Sequence, residues 1–306
     1  MIRIPYKLRR PEGVKSGFPG LRSLHYKLDC VAENLFIRLV KTPSEGTNKI
    51  EKREESVTVS LTSFPARINK VYYAIKSLML QTYKADRIVL WLAEEQFPNK
   101  TLPKKIEKLQ ECGLTVRWCQ NLRSHKKYHY ALQEQKENEL VITYDDDLIY
   151  EADSIEKLIK AHALYKDCII CNRGHEICFD KETGELLPYV KWKIHSAEGV
   201  ASPSLYVMPS TGDGCLYPYG CMPEITFDFE IVKENALTAD DLWMRFCSLQ
   251  NEVLVLKTRE TIATLCVVGG SQKERLTQIN DIEGENQRVI ERLLRIFPKT
   301  FSTRTK

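Results

Sequence analysis

The sequence predicts an α/β fold built on a mainly parallel sheet, and three observations predict it. Short β-rich runs alternate with helical periodicities at βαβ spacing from residue 57 to residue 165. One run, Leu140-Val141-Ile142-Thr143-Tyr144, is continuously β-rich and largely apolar, as a central strand buried on both faces should be. That run passes straight into Asp145-Asp146-Asp147, and open α/β sheets bind their ligands at the carboxyl ends of strands.

The elements follow in order. Residues 1–55 read as a basic N-terminal arm and linker. In the first thirty residues Arg3, Lys7, Arg9, Arg10, Lys15, Arg22 and Lys27 face only Glu12 and Asp29, with Ile2, Ile4, Leu8 and Phe18 among them. Pro5, Pro11, Gly13, Gly17, Pro19 and Gly20 interrupt any long helix, while residues 29–41 suit a short one. An arm of this kind, residues 1–30, suits an anionic membrane surface; packing on its own domain is the alternative. Val57–Leu61 is the first strand. Ile68, Val71, Tyr72, Ile75, Leu78 and Met79 mark a helix, and Arg87–Leu92 a second strand. Thr101–Cys112 is a helix with Thr101 as cap and Gly113 as terminator, before a strand at Leu114–Trp118. A basic stretch, Arg123 to His129, precedes the strand that ends in the carboxylates.

Asp153 is expected to cap the helix that follows, and Cys168–Cys171 to form a buried strand. Ser210-Thr211-Gly212-Asp213-Gly214-Cys215-Leu216-Tyr217-Pro218 is glycine-rich, which lets backbone approach a ligand closely; a plain tight turn is the other reading. Ala239-Asp240-Asp241-Leu242-Trp243 places two carboxylates at the start of an apolar helical run. Val253–Leu256 reads as a strand, and Glu285–Phe297 as an amphipathic helix. The expected division is arm and linker 1–55, an α/β domain 56–265, and a helical tail 266–306.

Composition limits the function. With 306 residues and 43% hydrophobic content the chain supports a large core, and a net charge of +4 gives no reason to expect a nucleic-acid partner. The ten cysteines are scattered, and Cys168 and Cys171, an odd number of residues apart on a strand, should lie on opposite faces as core thiols. No signal-peptide pattern opens the chain, so a reducing cytoplasm is expected. No dinucleotide fingerprint follows the first strand, which argues against NAD or FAD.

Three adjacent carboxylates repel one another, and a divalent cation on a diphosphate would relieve that repulsion. A solvated acidic turn is the bland alternative. In this order, the first strand, Tyr144-Asp145-Asp146-Asp147, the glycine-rich stretch and Ala239-Asp240-Asp241-Leu242-Trp243 resemble a GT-A glycosyltransferase. The likeness spans about residues 56–260 and is greatest to bacterial enzymes that build capsule and O-antigen polysaccharides.

The resemblance implies a Rossmann-like nucleotide-sugar domain, Mn²⁺ or Mg²⁺ as cofactor, and a nucleotide-sugar donor. UDP-linked sugars are expected, with UDP-galactofuranose a candidate. The acceptor would be a saccharide, free or lipid-linked, and the enzyme would be cytoplasmic or peripheral on the inner face of the membrane. Asp147 and Asp145 would serve the metal, with Asp145 and Asp146 on the donor side. Asp241 would be the base that deprotonates the acceptor, with Asp240 its neighbour, and the outcome inversion. Thr62, Ser63 and Arg67 would hold base and ribose. Arg123, Lys126 and Lys127 are candidate cations for the diphosphate, and Gly212 and Gly214 would let backbone approach the donor. Tyr189, Trp192 and Tyr217 would stack on acceptor sugars, with a place in the core as the alternative. Many such enzymes bring a later His to the metal, and none follows His195 here, so the metal would rest on the triplet, diphosphate and water. A nucleotidyltransferase on the same fold and a non-catalytic saccharide-binding homologue are the competing readings.

Overall fold

The computed structural model describes residues 19–259, 265–271 and 284–301; residues 1–18 of the expected arm and the end of the tail lie outside the described residues. The elements in chain order are α1 (Pro19–Leu39), β1 (Ser56–Thr62), α2 (Val71–Met79), β2 (Arg87–Ala93), α3 (Lys104–Glu111), β3 (Leu114–Cys119), α4 (Lys126–Gln133) and β4 (Glu139–Tyr144). Then come β5 (Leu148–Ile149), α5 (Ser154–His162), β6 (Ile169–Cys171), β7 (Gly174–Glu176), β8 (Val207–Pro209) and β9 (Asp213–Tyr217). α6 (Phe229–Asn235), α7 (Asp240–Gln250), β10 (Val255–Lys257), β11 (Cys266–Val267) and α8 (Glu285–Ile296) complete the set.

The fold class is the expected α/β, with a seven-stranded sheet in the order β10-β6-β9-β4-β1-β2-β3. Every pairing in it is parallel except those of β9, which runs antiparallel to β4 and β6. β4 is the middle strand. Its period of two shows in the packing: Leu140, Ile142 and Tyr144 enter one core layer and Val141 the other. The first layer joins Val57, Val59 and Leu90 to Ile75 of α2, Leu109 of α3 and Ile155 of α5. The second joins Tyr128 of α4, Trp243 and Phe246 of α7 and Val289 and Leu293 of α8. Cys168 and Cys171 fall in opposite layers, as their spacing requires, and all ten cysteines are free thiols.

Several local expectations are corrected. α1 starts at Pro19 rather than near residue 29, since proline is tolerated in a first helical turn. Its inner side packs on the domain, with Ile37 against Ile149, Cys266 and Val268. Thr101 does not cap α3; Pro103 holds that position without a side-chain bond. Asp153 occupies the N-cap position of α5, but its carboxylate pairs with Lys157 instead of a backbone N–H. Gly113 does end α3's turn, at φ +109°. The glycine-rich stretch divides: Thr211–Gly212 is a turn, and Asp213–Tyr217 forms β9, inside the sheet.

Candidate active site

β4 ends at Tyr144, and the triplet turns away from the sheet beyond it. Tyr150, fully inside the fold, anchors that turn. Its hydroxyl takes a bond from the Asp145 N–H at 2.8 Å and lies 2.8 Å from the Gly212 carbonyl. Thr143 Oγ1 donates to the Thr211 carbonyl at 2.6 Å, so the triplet and the Thr211–Gly212 turn are held together.

The three carboxylates diverge. Asp146 is buried and accepts bonds from Ser63 Oγ at 2.6 Å and from the Arg67 guanidinium at 2.8 Å. The same Arg67 nitrogen lies 3.0 Å from Asp147. Burial works against the Arg67 charge, but Asp146 and Asp147 outweigh it and hold the group firmly protonated. Desolvation pushes Asp146 up, opposed by Arg67 and Ser63. Asp145 points the other way, to Lys127 Nζ at 2.7 Å. Asp145 and Asp147 keep partial exposure.

α7 begins with Asp240 and Asp241, fixed by Leu242, Trp243 and Phe246 in the core. Asp240 accepts from Lys127 Nζ at 2.8 Å. Thr211 Oγ1 lies 2.9 Å from Asp240 and 2.5 Å from Asp241, and the Thr211 N–H donates to Asp241 at 2.9 Å. Successive helical residues project about 100° apart, which suggests that the two carboxylates face different ways. They nevertheless meet on one hydroxyl, because they sit in the first turn, where side chains fold back over the helix start.

Electrostatics separates the pair. Desolvation opposes the Asp240 charge, yet Lys127, and then His125 and Thr211, overcome it and hold Asp240 below the usual carboxylate range. Asp241 retains some exposed surface but sits deep among neighbours. Desolvation first, then the Asp240 charge, push it up to about 7. Lys127 loses solvation by burial, and Asp145, Asp240 and Asp241 more than restore its charge, so its pKa is raised well above the ordinary value. Burial pushes Lys126 down to about 8; its nitrogen lies 3.3 Å from Asn121 Oδ1 and feels Asp146. His125 is buried and driven down to about 4 by desolvation, so it is neutral at pH 7. It lies 3.0 Å from the Ala236 carbonyl and 2.8 Å from Tyr128 Oη, tying the start of α4 to the turn before α7.

The remaining expected residues divide. Thr62 donates to the Trp91 carbonyl at 2.9 Å, within the sheet. Arg123 is exposed at φ 51°. Gly212 faces the protein itself: a Cβ there would lie 1.9 Å from the Asp145 carboxylate. Gly214, at φ +96°, abuts Asn172 and Tyr144 inside β9. Tyr217 and Trp192 are core residues, Tyr217 with no exposed surface and Trp192 donating to the Leu187 carbonyl at 2.9 Å. Neither offers a face to a sugar. Tyr189 is half-buried and stacks with His175 at 6.1 Å between ring centres.

Sequence reasoning missed Thr211, Tyr150 and the pair of partly exposed Arg173 with buried Asp213, with 3.1 Å between its charged atoms. Thr211 had a signal, its place beside Gly212 in the glycine-rich stretch; Tyr150 and Arg173 had none.

The donor set bears on a divalent cation. Asp145, Asp146, Asp147, Asp213, Asp240 and Asp241 outnumber Arg67, Lys126, Lys127 and Arg173, and a diphosphate would add further negative charge. Among the described residues no group of three or more His, Cys, Asp or Glu side chains forms a metal cage. Mg²⁺ and Mn²⁺ commonly need only one or two carboxylates besides substrate phosphates; Asp145 and Asp147 are the partly exposed carboxylates of the triplet, each paired with a cation, Lys127 and Arg67.

No family model matches this sequence, and no curated protein matches it. Solved structures similar to it include TarS 1–349 from S. aureus, at 13% identity and TM-score 0.40, over 67% of this chain and 58% of that one. A mannosyltransferase from Pyrobaculum calidifontis in complex with GDP-Man and Mn²⁺ matches at 11% identity and TM-score 0.39, over 77% of this chain and 65% of that one. A 4-diphosphocytidyl-2C-methyl-D-erythritol synthase from Anaerococcus prevotii matches at 10% identity and TM-score 0.41, over 71% and 94% respectively. The match therefore spans less than two thirds of the first two chains. Likenesses this distant assign no reaction, and the functional reading rests on this chain's own residues.

Proposed function

We propose that this chain is an inverting glycosyltransferase of GT-A type that moves a sugar from a nucleotide-sugar donor to a saccharide hydroxyl. One observation carries the reading. Lys127 and the Thr211–Gly212 turn join the carboxylates after β4 to the carboxylate pair opening α7. In this reading the donor site and the base are therefore neighbours.

In this reading Asp241 takes the proton from the acceptor hydroxyl as that oxygen attacks C1 of the sugar. The bond from C1 to the diphosphate oxygen breaks, and its electron pair leaves with the nucleoside diphosphate. A base works best with a pKa near the operating pH, and Asp241 is pushed up to about 7. Asp240 stays ionised on Lys127 and raises its neighbour's basicity. Arg67 orients Asp146 and Asp147 and keeps its charge beside the donor. Lys126 and Arg67 supply positive charge for the phosphates. Mn²⁺ or Mg²⁺, held by Asp145 and Asp147, would offset charge on the leaving diphosphate.

The donor is read as a UDP-sugar, with UDP-galactofuranose the candidate that the polysaccharide-enzyme resemblance supplies. The acceptor is a saccharide of a cell-surface polymer, with an oligosaccharide and a lipid-linked saccharide the two candidates. Incubating the protein with a panel of nucleotide sugars, Mn²⁺ and saccharide acceptors, with mass-spectrometric detection, tests this. Release of nucleoside diphosphate with sugar-extended acceptor is expected. Pyrophosphate release from a nucleoside triphosphate and a sugar phosphate would instead assign a nucleotidyltransferase.

A further inference from the structure

We propose that the outward face of α1 is a docking surface for an anionic lipid bilayer. α1 has two opposite faces. The inner one carries Ile37 in a small core and Asn34, whose amide donates to the Val267 carbonyl at 2.9 Å and accepts from the Gly269 N–H at 2.7 Å. The outer one carries Leu28, Val31, Leu35 and Leu39, which are 56–75% exposed. Their spacing of three, four and four residues places them on one side of the helix. Soluble surfaces normally scatter single apolar residues; a continuous stripe of four marks an interaction site.

Charge selects the occupant. Lys27 and Arg38 are exposed on one flank of the stripe. Residues 1–41 hold nine Lys and Arg against three Asp and Glu, a net +6, while the whole chain is only +4. The positive charge of the protein is thus concentrated in and before this helix. Apolar side chains flanked by Lys27 and Arg38, in a segment whose sequence is net positive, match the boundary between acyl chains and anionic headgroups. A second copy of the chain would bring the same positive charge and be repelled.

The position of α1 gives docking a consequence. α1 packs on β11, which pairs with β5 directly after the triplet; Val267 sits opposite Leu148, and the Val268 N–H donates to the Asp147 carbonyl at 2.8 Å. A bilayer under α1 would hold the triplet's end of the sheet beside the headgroups, where a lipid-linked acceptor presents its sugar. The docking inference is independent of the transfer reading, since either can fail while the other stands.

The test is co-sedimentation of the full chain with vesicles of phosphatidylglycerol and, separately, of phosphatidylcholine. Binding to the anionic vesicles is expected, weakening as salt rises. The Leu28→Ala/Leu35→Ala/Leu39→Ala variant should bind at least about tenfold more weakly with an unchanged melting temperature, because these side chains lie outside the core. Failure of the full chain to bind phosphatidylglycerol vesicles overturns the proposal. So does equal binding by the triple variant. A concentration-dependent dimer that the triple variant abolishes, without vesicle binding, assigns the stripe to a second copy and overturns it too.

Discussion

Lys127 Nζ stands 2.7 Å from Asp145 and 2.8 Å from Asp240, two residues 95 positions apart in the chain. One buried ammonium thereby joins the carboxyl end of the central strand to the start of α7. Breaking a buried ion pair by removing one partner costs about 3–5 kcal/mol, because it strands a charge in a poor solvent. Asp145 is 43% exposed on its side chain and recovers water, which discounts that cost. Lys127→Met should therefore destabilise the fold by about 2–3 kcal/mol. Urea denaturation checks this; a loss within the scatter of surface substitutions would mean that the cation is dispensable.

Gly212 is constrained by space alone. A methyl group there would meet Asp145 at 1.9 Å, and the backbone carbonyl of the same residue is tied to Tyr150. Gly212→Ala should displace the Asp145 carboxylate and cost about 1–3 kcal/mol through overpacking. Donor affinity should fall with it. Calorimetry showing wild-type donor binding in Gly212→Ala would remove Asp145 from the donor site.

Asp147→Ala addresses the cation. It deletes one of two partly exposed carboxylates while leaving Asp146 on Ser63 and Arg67. Mn²⁺-dependent enhancement of nucleoside diphosphate binding should disappear, with the protein still folded, since Arg67 keeps Asp146 as a partner. Equal enhancement in variant and wild type would place the metal elsewhere.

The pH dependence has a definite sign. Asp241 must be ionised to accept a proton, and its pKa is pushed up to about 7 by burial and Asp240. kcat/KM should therefore be low in acid, rise through pH 7 and level off above it. Thr211→Val removes a hydroxyl bonded to Asp241 while conserving shape. Losing a hydrogen bond to the charged form disfavours that form, so the acidic limb should move upward by about one unit. An unmoved limb would mean that another group titrates.

The sheet was legible because its signals are local. β1, β2, β3 and β4 are runs of β-branched and apolar residues, and α2 and α8 carry stripes that pack as their spacing requires. The triplet and the Asp pair were legible as motifs for the same reason. What joins them was not. Lys127 looks like its neighbours Arg123 and Lys126 in sequence, and only the antiparallel insertion of β9 beside β4 brings Thr211 and α7 to it. Gly212 and Gly214 mask the start of antiparallel β9 in the sequence. In the structure they pack against Asp145, and against Asn172 and Tyr144. Residue type alone suits Tyr217 and Trp192 to sugar stacking, and burial overrides type.

The central claim, that Asp241 is the base of an inverting transfer, is tested most directly by Asp241→Asn. The substitution keeps shape and removes basicity. Steady-state kinetics and donor calorimetry should show kcat lowered at least about a hundredfold with donor affinity retained. NMR of the wild-type product should show the anomeric configuration inverted relative to the donor. Near-normal turnover by Asp241→Asn, or a retained anomer in the wild-type product, would contradict the account.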